Sequence, residues 1–251
     1  MKTIIITQAR CNARRFPNKV LKEINGETLL EIHLKRILKC RKANKIIVAT
    51  TTNSDDIKIA EIASKLDVEI FRGSEHDVLD RFYFAAKDYN PDYIVRLTSD
   101  CPLIDPELID YLIEESQRLE FDYISNNLKE LYPDGQDIEV FKFSALEKSW
   151  FNAKLKSERE HVTQYIRNNS SYFNKKLFKA KNYKPVSNFN SVRLTVDEIE
   201  DFEVIKKIIN ELGTDLDWRS YADFYTKNSK INYINNKIIR NEGLLKSINE
   251  D

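Results

Sequence analysis

Tyr93-Ile94-Val95-Arg96-Leu97-Thr98-Ser99-Asp100-Cys101-Pro102-Leu103-Ile104-Asp105-Pro106 reads as a strand, a turn and the start of a helix. The aliphatic run Tyr93–Leu97 suits a strand covered on both faces. Asp105 followed by Pro106 is an N-cap with proline at the first helical position. That helix should run to about Arg118, and Asp122-Tyr123-Ile124 begins another strand. The same alternation extends upstream. Ile4-Ile5-Ile6 is a short buried strand followed by a polar, basic loop from Gln8 to Lys19. Thr28-x-x-Glu31 is a capping box before a helix with Leu30, Leu34, Ile37 and Leu38 on one face. Ile46–Ala49 and Val68–Phe71 are strands. Helices open at Asp55 or Asp56 and after Ser74-x-x-Asp77. Strand and helix in alternation predict an α/β fold, a mainly parallel sheet with helices on both faces. Ligands of such sheets sit beyond the carboxyl ends of the strands, where the Gln8–Lys19 loop and Asp100 lie.

The second half is less regular. Ile138–Phe143 is a strand expected in a mixed or antiparallel arrangement. Ser157-x-x-Glu160 caps a helix to about Asn168. Ser191–Val196 is a strand ending in Asp197, and Ile199–Leu212 is a helix closed by Gly213. From Trp218 onward the chain is helical and polar. No linker separates two domains. Residues 1–213 are expected to form one domain, with 214–251 a helical appendage packed on it. Trp218, Tyr221, Phe224 and Tyr225 pack that tail, or line a homodimer contact.

The chain has 251 residues, 41% of them hydrophobic, enough for a full core. Forty Lys+Arg balance forty Asp+Glu, which argues against a generic nucleic-acid binder. No apolar run approaches the ~20 residues that span a bilayer. The N-terminus lacks a signal-peptide pattern, so the expected location is cytoplasmic. Cys11, Cys40 and Cys101 are scattered and odd in number, which suits neither a disulfide framework nor a structural zinc site.

Two constellations carry chemistry. The Gln8–Lys19 loop concentrates Arg10, Arg14, Arg15 and Lys19 at a strand end. Guanidinium groups grip phosphate oxygens in pairs and lysine acts as a point charge, so the loop fits an anionic ligand, or else it is a solvated basic loop. It lacks the Gly-x-x-x-x-Gly-Lys and Gly-x-Gly-x-x-Gly patterns. Asp100 and Asp197 end two similar segments, Val95-Arg96-Leu97-Thr98-Ser99-Asp100 and Val192-Arg193-Leu194-Thr195-Val196-Asp197. Two carboxylates at one sheet end suit Mg²⁺, a hard ion that also bridges to substrate phosphates. The plainer reading makes each Asp a helix N-cap, which is stronger for Asp197.

In order along the chain stand Arg10-Cys11-Asn12-Ala13-Arg14-Arg15-Phe16-Pro17-Asn18-Lys19, Phe71-Arg72-Gly73-Ser74-Glu75-His76-Asp77-Val78-Leu79-Asp80-Arg81, Arg96–Asp105, Gly135–Phe141, Glu158–Thr163, Arg193–Asp197 and Asn241-Glu242-Gly243 with Lys246-Ser247. This set resembles the SpsF-like cytidylyltransferases of spore-coat polysaccharide biosynthesis, relatives of CMP-KDO and CMP-sialate synthetases. Ala13 and Asn18 depart from that pattern, which has Ser and Gly there. The resemblance implies a Rossmann-like nucleotidyltransferase sheet of the glycosyltransferase-A type. It implies transfer of CMP from CTP to a sugar, with release of pyrophosphate. Catalytic roles would fall to Arg10, Arg15, Lys19 and Asp100, and nucleotide contacts to Gln8, Ala9, Arg10, Arg15, Lys19, Thr50, Arg81 and Ser99. Asp137, Glu139, Arg159, Glu160 and His161 would form the acceptor pocket, and Asp100 and Asp197 would hold Mg²⁺. The residues alone leave open a glycosyltransferase of the same fold, a non-catalytic nucleotide or sugar binder, and another base in place of cytosine. They do not identify the sugar.

Overall fold

The computed structural model describes residues 1–251. In chain order the elements are β1 (Thr3–Gln8), β2 (Glu23–Ile24), β3 (Glu27–Thr28), α1 (Leu29–Ile37), β4 (Lys45–Thr51), α2 (Ile57–Lys65), β5 (Glu69–Gly73), α3 (Val78–Lys87), β6 (Tyr93–Thr98) and α4 (Pro106–Leu119). There follow β7 (Tyr123–Ser125), β8 (Glu139–Lys142), α5 (Phe143–Asn152), α6 (Lys156–Glu160), α7 (Gln164–Asn168), β9 (Ala180–Asn182), α8 (Ile199–Leu212), α9 (Trp218–Lys227), α10 (Ser229–Asn235) and α11 (Glu242–Asn249). Seven strands form one sheet in the order β5-β4-β1-β6-β8-β7-β9. The first four are parallel, β8 runs antiparallel to β6 and β7, and β9 is parallel to β7.

Alternation along the strands builds two cores. Ile5, Val48, Val95 and Val140 face a core shared with α1, α2, α4, α8 and α9. Ile4, Ile6, Ile47, Ala49, Ile94 and Phe141 face the other core, shared with α3, α5 and α7. A strand buried on both faces therefore reads as an unbroken aliphatic run. The local signals act as expected at α1, where the Thr28–Glu31 capping box is complete. At α4, Asp105 Oδ1 accepts from the backbone N–H groups of Glu107 and Leu108. Ahead of α3, Asp77 is itself the N-cap, and Ser74 Oγ accepts from its N–H.

Three expectations change. Ser191–Val196 is not a ladder strand. It makes one isolated bridge, between Arg193 and Asp134, and Val196 N–H donates to Asp100 O at 2.9 Å. The reason is its partner, an irregular turn whose Gly135 adopts φ +102°, so no ladder can extend. The predicted helix from Ser157 to Asn168 is broken into α6 and α7. Val162 between them is fully buried at φ +52°, which ends the helical path. Asp197 does not cap α8. Glu198 does, and the Asp201 carboxylate reaches back to the backbone N–H groups of Asp197 and Glu198.

In the tail, Trp218, Tyr221 and Tyr225 are buried within the chain. Trp218 N–H donates to Asp105 Oδ2 at 2.9 Å. Asn235 on α10 donates to Asp201 and to Arg193 O.

A Cβ at Gly135 would meet the Leu194 carbonyl carbon at 2.6 Å and Thr195 N at 2.7 Å. Gly26 has φ +84° but open space around it. Gly135→Ala should therefore cost about 2 kcal/mol or more and Gly26→Ala about 1 kcal/mol, read as unequal losses of melting temperature. Equal losses would contradict the close approach.

Candidate active site

The basic loop after β1 is held by a carboxylate beneath it. Asp56 Oδ1 accepts from Cys11 N–H at 2.7 Å, and its other oxygen accepts from the Thr51 hydroxyl. The loop closes where Asn18 N–H donates to Cys11 O at 2.8 Å. Asn18 itself sits at φ +58°, in the left-handed region that glycine favours and that asparagine tolerates best among other residues. A single turn of 3-10 helix, Lys19–Leu21, then aims Lys19 back across the sheet end.

Lys19 Nζ lies 2.7 Å from Asp100 Oδ2 and 2.9 Å from Asp197 Oδ1. The two aspartates, far apart in sequence, thus meet at one rim. Burial would raise the Asp100 pKa, but the Lys19 ammonium holds it down to about 2. Burial would discharge Lys19, yet the two carboxylates hold its pKa above the ordinary lysine value. Arg15 joins the same rim, with Nη2 3.1 Å from Asp197 and Nη1 3.2 Å from Glu198 and 3.4 Å from Glu242 of α11. Arg193 closes it from below, pairing with Asp134, Asp201 and Asp197 at 2.5 to 3.1 Å.

Two cavities flank the rim and share Arg15, Asp100, His161 and Asp197. The first, about 350 Å³, is walled by Gln8, Ala9, Arg10, Lys19, Arg81 and Glu160. The second, about 210 Å³, is walled by Arg96, Asp137, Glu139, Thr163 and Arg167. Helix α11 stands against both, contributing Glu242 and Gly243 to each. Ser247 anchors it, donating to Glu160 Oε2 at 2.8 Å, with His161 Nε2 3.0 Å from the same hydroxyl.

Three expected site residues do not line either cavity. Thr50 is wholly buried and its Oγ1 has no partner. Ser99 is buried with its hydroxyl 2.8 Å from that of Thr7. Arg159 binds Asp77 and the Trp150 carbonyl, tying α6 to α3 and α5. The other expected residues line one or both cavities. Residues not anticipated are Arg96, Arg167, Arg240 and Glu242. Arg96 faces Glu139 across the ladder, Nη1 to Oε2 2.5 Å, and Arg240 holds Asp137 at 2.5 Å. Burial raises the Glu139 pKa less than Arg96, Arg167 and the hydrogen bonds from Thr163 and Tyr123 lower it, so it stays below the ordinary carboxylate value. The signal for Arg96 and Arg193 was available, because each is a charge inside one of the two similar aliphatic segments.

His33 supports the rim from behind. It is fully buried, with Nδ1 2.9 Å from Cys101 O and Nε2 2.9 Å from the Thr7 hydroxyl. The carbonyl can only accept, so Nδ1 carries the proton and Nε2 accepts from Thr7. Burial pushes the His33 pKa down to about 4, and burial with Arg96 does the same to His161. Cys101 is buried beside Asp100, which raises its pKa and leaves no thiolate nucleophile.

The cytidylyltransferase family model matches residues 4–238. An uncharacterised protein of Methanocaldococcus jannaschii is 44% identical over 95% of this chain and 96% of its own. The spore coat polysaccharide biosynthesis protein SpsF of Bacillus subtilis is 31% identical over 84% of this chain and 87% of its own. The structure of a cytidylyltransferase from Leptospira borgpetersenii superposes with a TM-score of 0.88 at 35% identity, covering 95% of this chain and 99% of that one.

The two depressed histidines predict an acid-sensitive window. Between about pH 6.5 and pH 4 the unfolded chain takes up protons that the folded chain excludes, so this stability is complete above pH 6.5 and lost on descent to pH 4. His33→Gln should flatten the slope of unfolding free energy against pH there by about 1.4 kcal/mol per pH unit. Urea titrations at pH 7, 5.5 and 4.5 measure it, and an unchanged slope would show that His33 takes up its proton in the fold as readily as in the unfolded chain.

Proposed function

The chain belongs to the cytidylyltransferase family and is a CTP-dependent nucleotidyltransferase, and from that premise we propose that it transfers CMP from CTP to an oxygen of a sugar acid or sugar phosphate, releasing pyrophosphate, in the making of a cell-surface polysaccharide or glycan. The observation that carries this reading is the single rim, between two cavities, at which Lys19, Arg15, Asp100 and Asp197 converge. CTP takes the first cavity and the sugar the second. The acceptor oxygen attacks the α-phosphorus at the shared rim, and the bond to the bridging oxygen of pyrophosphate breaks. Residues 1–213 form the nucleotidyltransferase domain, and 214–251 an appendage whose last helix walls the site. The reaction belongs in the cytoplasm.

Such chemistry needs positioning and charge neutralisation rather than a protein nucleophile. Arg10, Arg15 and Lys19 bind the triphosphate and stabilise the departing pyrophosphate, with Gln8, Ala9 and Arg81 as further nucleotide contacts. Asp137, Glu139, Glu160 and His161 bound the acceptor. Asp100 and Asp197 fit Mg²⁺. Their oxygens already converge on one cationic atom, Lys19 Nζ. Two carboxylates leave the remaining positions of such an ion to waters and substrate phosphates. When bound, Mg²⁺ would neutralise phosphoryl charge. Arg96 and Arg167 at the second cavity lie against Glu139, so its wall offers an acceptor both guanidinium and carboxylate partners.

The test is pyrophosphate release from CTP with Mg²⁺ and a panel of sugar acids and sugar phosphates. Asp100→Ala should lower kcat by about a hundredfold or more, the scale of removing one electrostatic stabiliser, while circular dichroism stays native. Near-normal turnover would remove Asp100 from the mechanism. Arg15→Ala should raise the KM for CTP about tenfold, and an unshifted KM would remove Arg15 from the phosphate site.

A further inference from the structure

Three groups that the proposed reaction needs are held by one short helix, α11. Glu242 at its start places a carboxylate oxygen 3.4 Å from Arg15 Nη1. Ser247 donates to Glu160 Oε2 at 2.8 Å and lies 3.0 Å from His161 Nε2. With Asp197 at 3.1 Å and Glu198 at 3.2 Å, Arg15 already faces three carboxylates. Asp197 and Glu198 are fixed, because their backbone N–H groups donate to the Asp201 carboxylate at the start of α8. Glu242 is the partner whose element can leave. It also carries its own counter-charge, since Lys246 Nζ on the same helix lies 2.8 Å from its other oxygen.

The attachment of α11 is polar. Ser247 is its one buried residue, while Leu245 and Ile248 turn outward, 53% and 43% exposed. A surface helix ordinarily buries its apolar stripe and shows water its polar face, and here the order is reversed. The far end is tied to α6 by Lys156 with Glu250, and by Asp251, which accepts from Ser157 N–H at 2.8 Å and from the Ser157 hydroxyl at 2.5 Å. Exposed contacts of this kind are weak one by one, and an element with little apolar burial opens at far lower cost than the whole fold. The base of the helix is a marked hinge. Asn241 stands at φ +58° just before it, and Gly243 in its first turn weakens the helix where it begins. Upstream the chain is fixed again, with Arg240 donating to the Tyr132 carbonyl at 3.0 Å and to Asp137 at 2.5 Å.

We propose that α11 is an autoinhibitory strap. Glu242 keeps the place of a phosphate on Arg15, and Ser247 occupies Glu160 and His161, until a nucleotide polyphosphate displaces Glu242 and unlatches the helix. This rests on the reading of the first cavity as the CTP site and adds how that site is gated. A triphosphate brings several negative charges against a single screened carboxylate, so the exchange at Arg15 favours it. Release of Ser247 then frees the acceptor wall in the same movement.

The experiment compares full-length wild type, Glu242→Gln and Asp251→Ala. Dissociation constants for CTP and inorganic tripolyphosphate come from calorimetry, and hydrogen–deuterium exchange reads the amides of α11. In wild type those amides should exchange faster when tripolyphosphate is added. Both variants should show fast exchange of α11 without ligand. Both should bind tripolyphosphate about two- to fivefold more tightly, the scale of one exposed ion pair, because less of the protein is in the latched state. Asp251 lines neither cavity, so tighter binding by Asp251→Ala reports the strap and not a direct contact. Unchanged or slower exchange of α11 on adding tripolyphosphate to wild type would overturn the proposal. Equal or weaker binding by either variant would also overturn it. Binding of CTP without binding of tripolyphosphate would place the contact at the nucleoside and overturn displacement at Arg15. If wild type and both variants bind neither ligand, the nucleotide reading fails and the strap with it. If wild type binds both ligands while α11 does not respond, the nucleotide reading stands and the strap alone fails.

Discussion

One ammonium group between two carboxylates organises the functional end of this molecule. Lys19 Nζ donates to both Asp100 and Asp197, which arrive from opposite halves of the chain. Each participant is fixed from behind. The loop bearing Lys19 is held by Asp56, and the turn bearing Asp100 is held by His33 through the Cys101 carbonyl. The segment bearing Asp197 is held by Asp201 and Arg193. Charge balance at the rim is therefore local although the chain as a whole is neutral. Any ligand that claims Lys19 must offer the two aspartates something in return, which is what the proposed pairing of a divalent cation with a polyphosphate would do.

The parallel half of the sheet was legible because burial on both faces leaves a plain trace. Ile4–Ile6, Ile46–Ala49 and Tyr93–Leu97 are aliphatic runs with capped helices between them, and each became a strand. Where the later half differs, the cause is long-range. Val192–Val196 has the composition of a strand, but its neighbour is the Asp134–Gly135 turn, and composition does not reveal what lies alongside. The capping pattern at Ser157 was misleading because the helix start is set by Glu158, which accepts from the Lys154 and Leu155 N–H groups.

For the site, clustering of cations after β1 and the repeated Asp at the end of two similar segments pointed to one end of the sheet, and the structure brings Arg15, Lys19, Asp100 and Asp197 together there. What sequence could not supply was the pairing. Arg15 meets Glu242 and Glu198, Lys19 meets Asp197, and Arg240 meets Asp137, all at separations of a hundred residues or more. Which carboxylate neutralises an arginine depends on such partners, and sequence alone does not display them. Arg159 shows the converse, a cation expected in the acceptor pocket whose guanidinium faces Asp77 and the packing of three helices.

The buried left-handed valine between α6 and α7 has its own meaning for ligand entry. A non-glycine residue in that region stores of the order of 1–3 kcal/mol, and a β-branched one sits there only when its surroundings overdetermine it. At Val162 the return is directional. The chain turns a corner within three residues, so that His161 meets Ser247 while Thr163 meets Glu139, two partners on different walls. The corner behaves as a pre-tensioned joint that holds the two walls of the cleft in register, so less ordering remains for whatever the cleft receives.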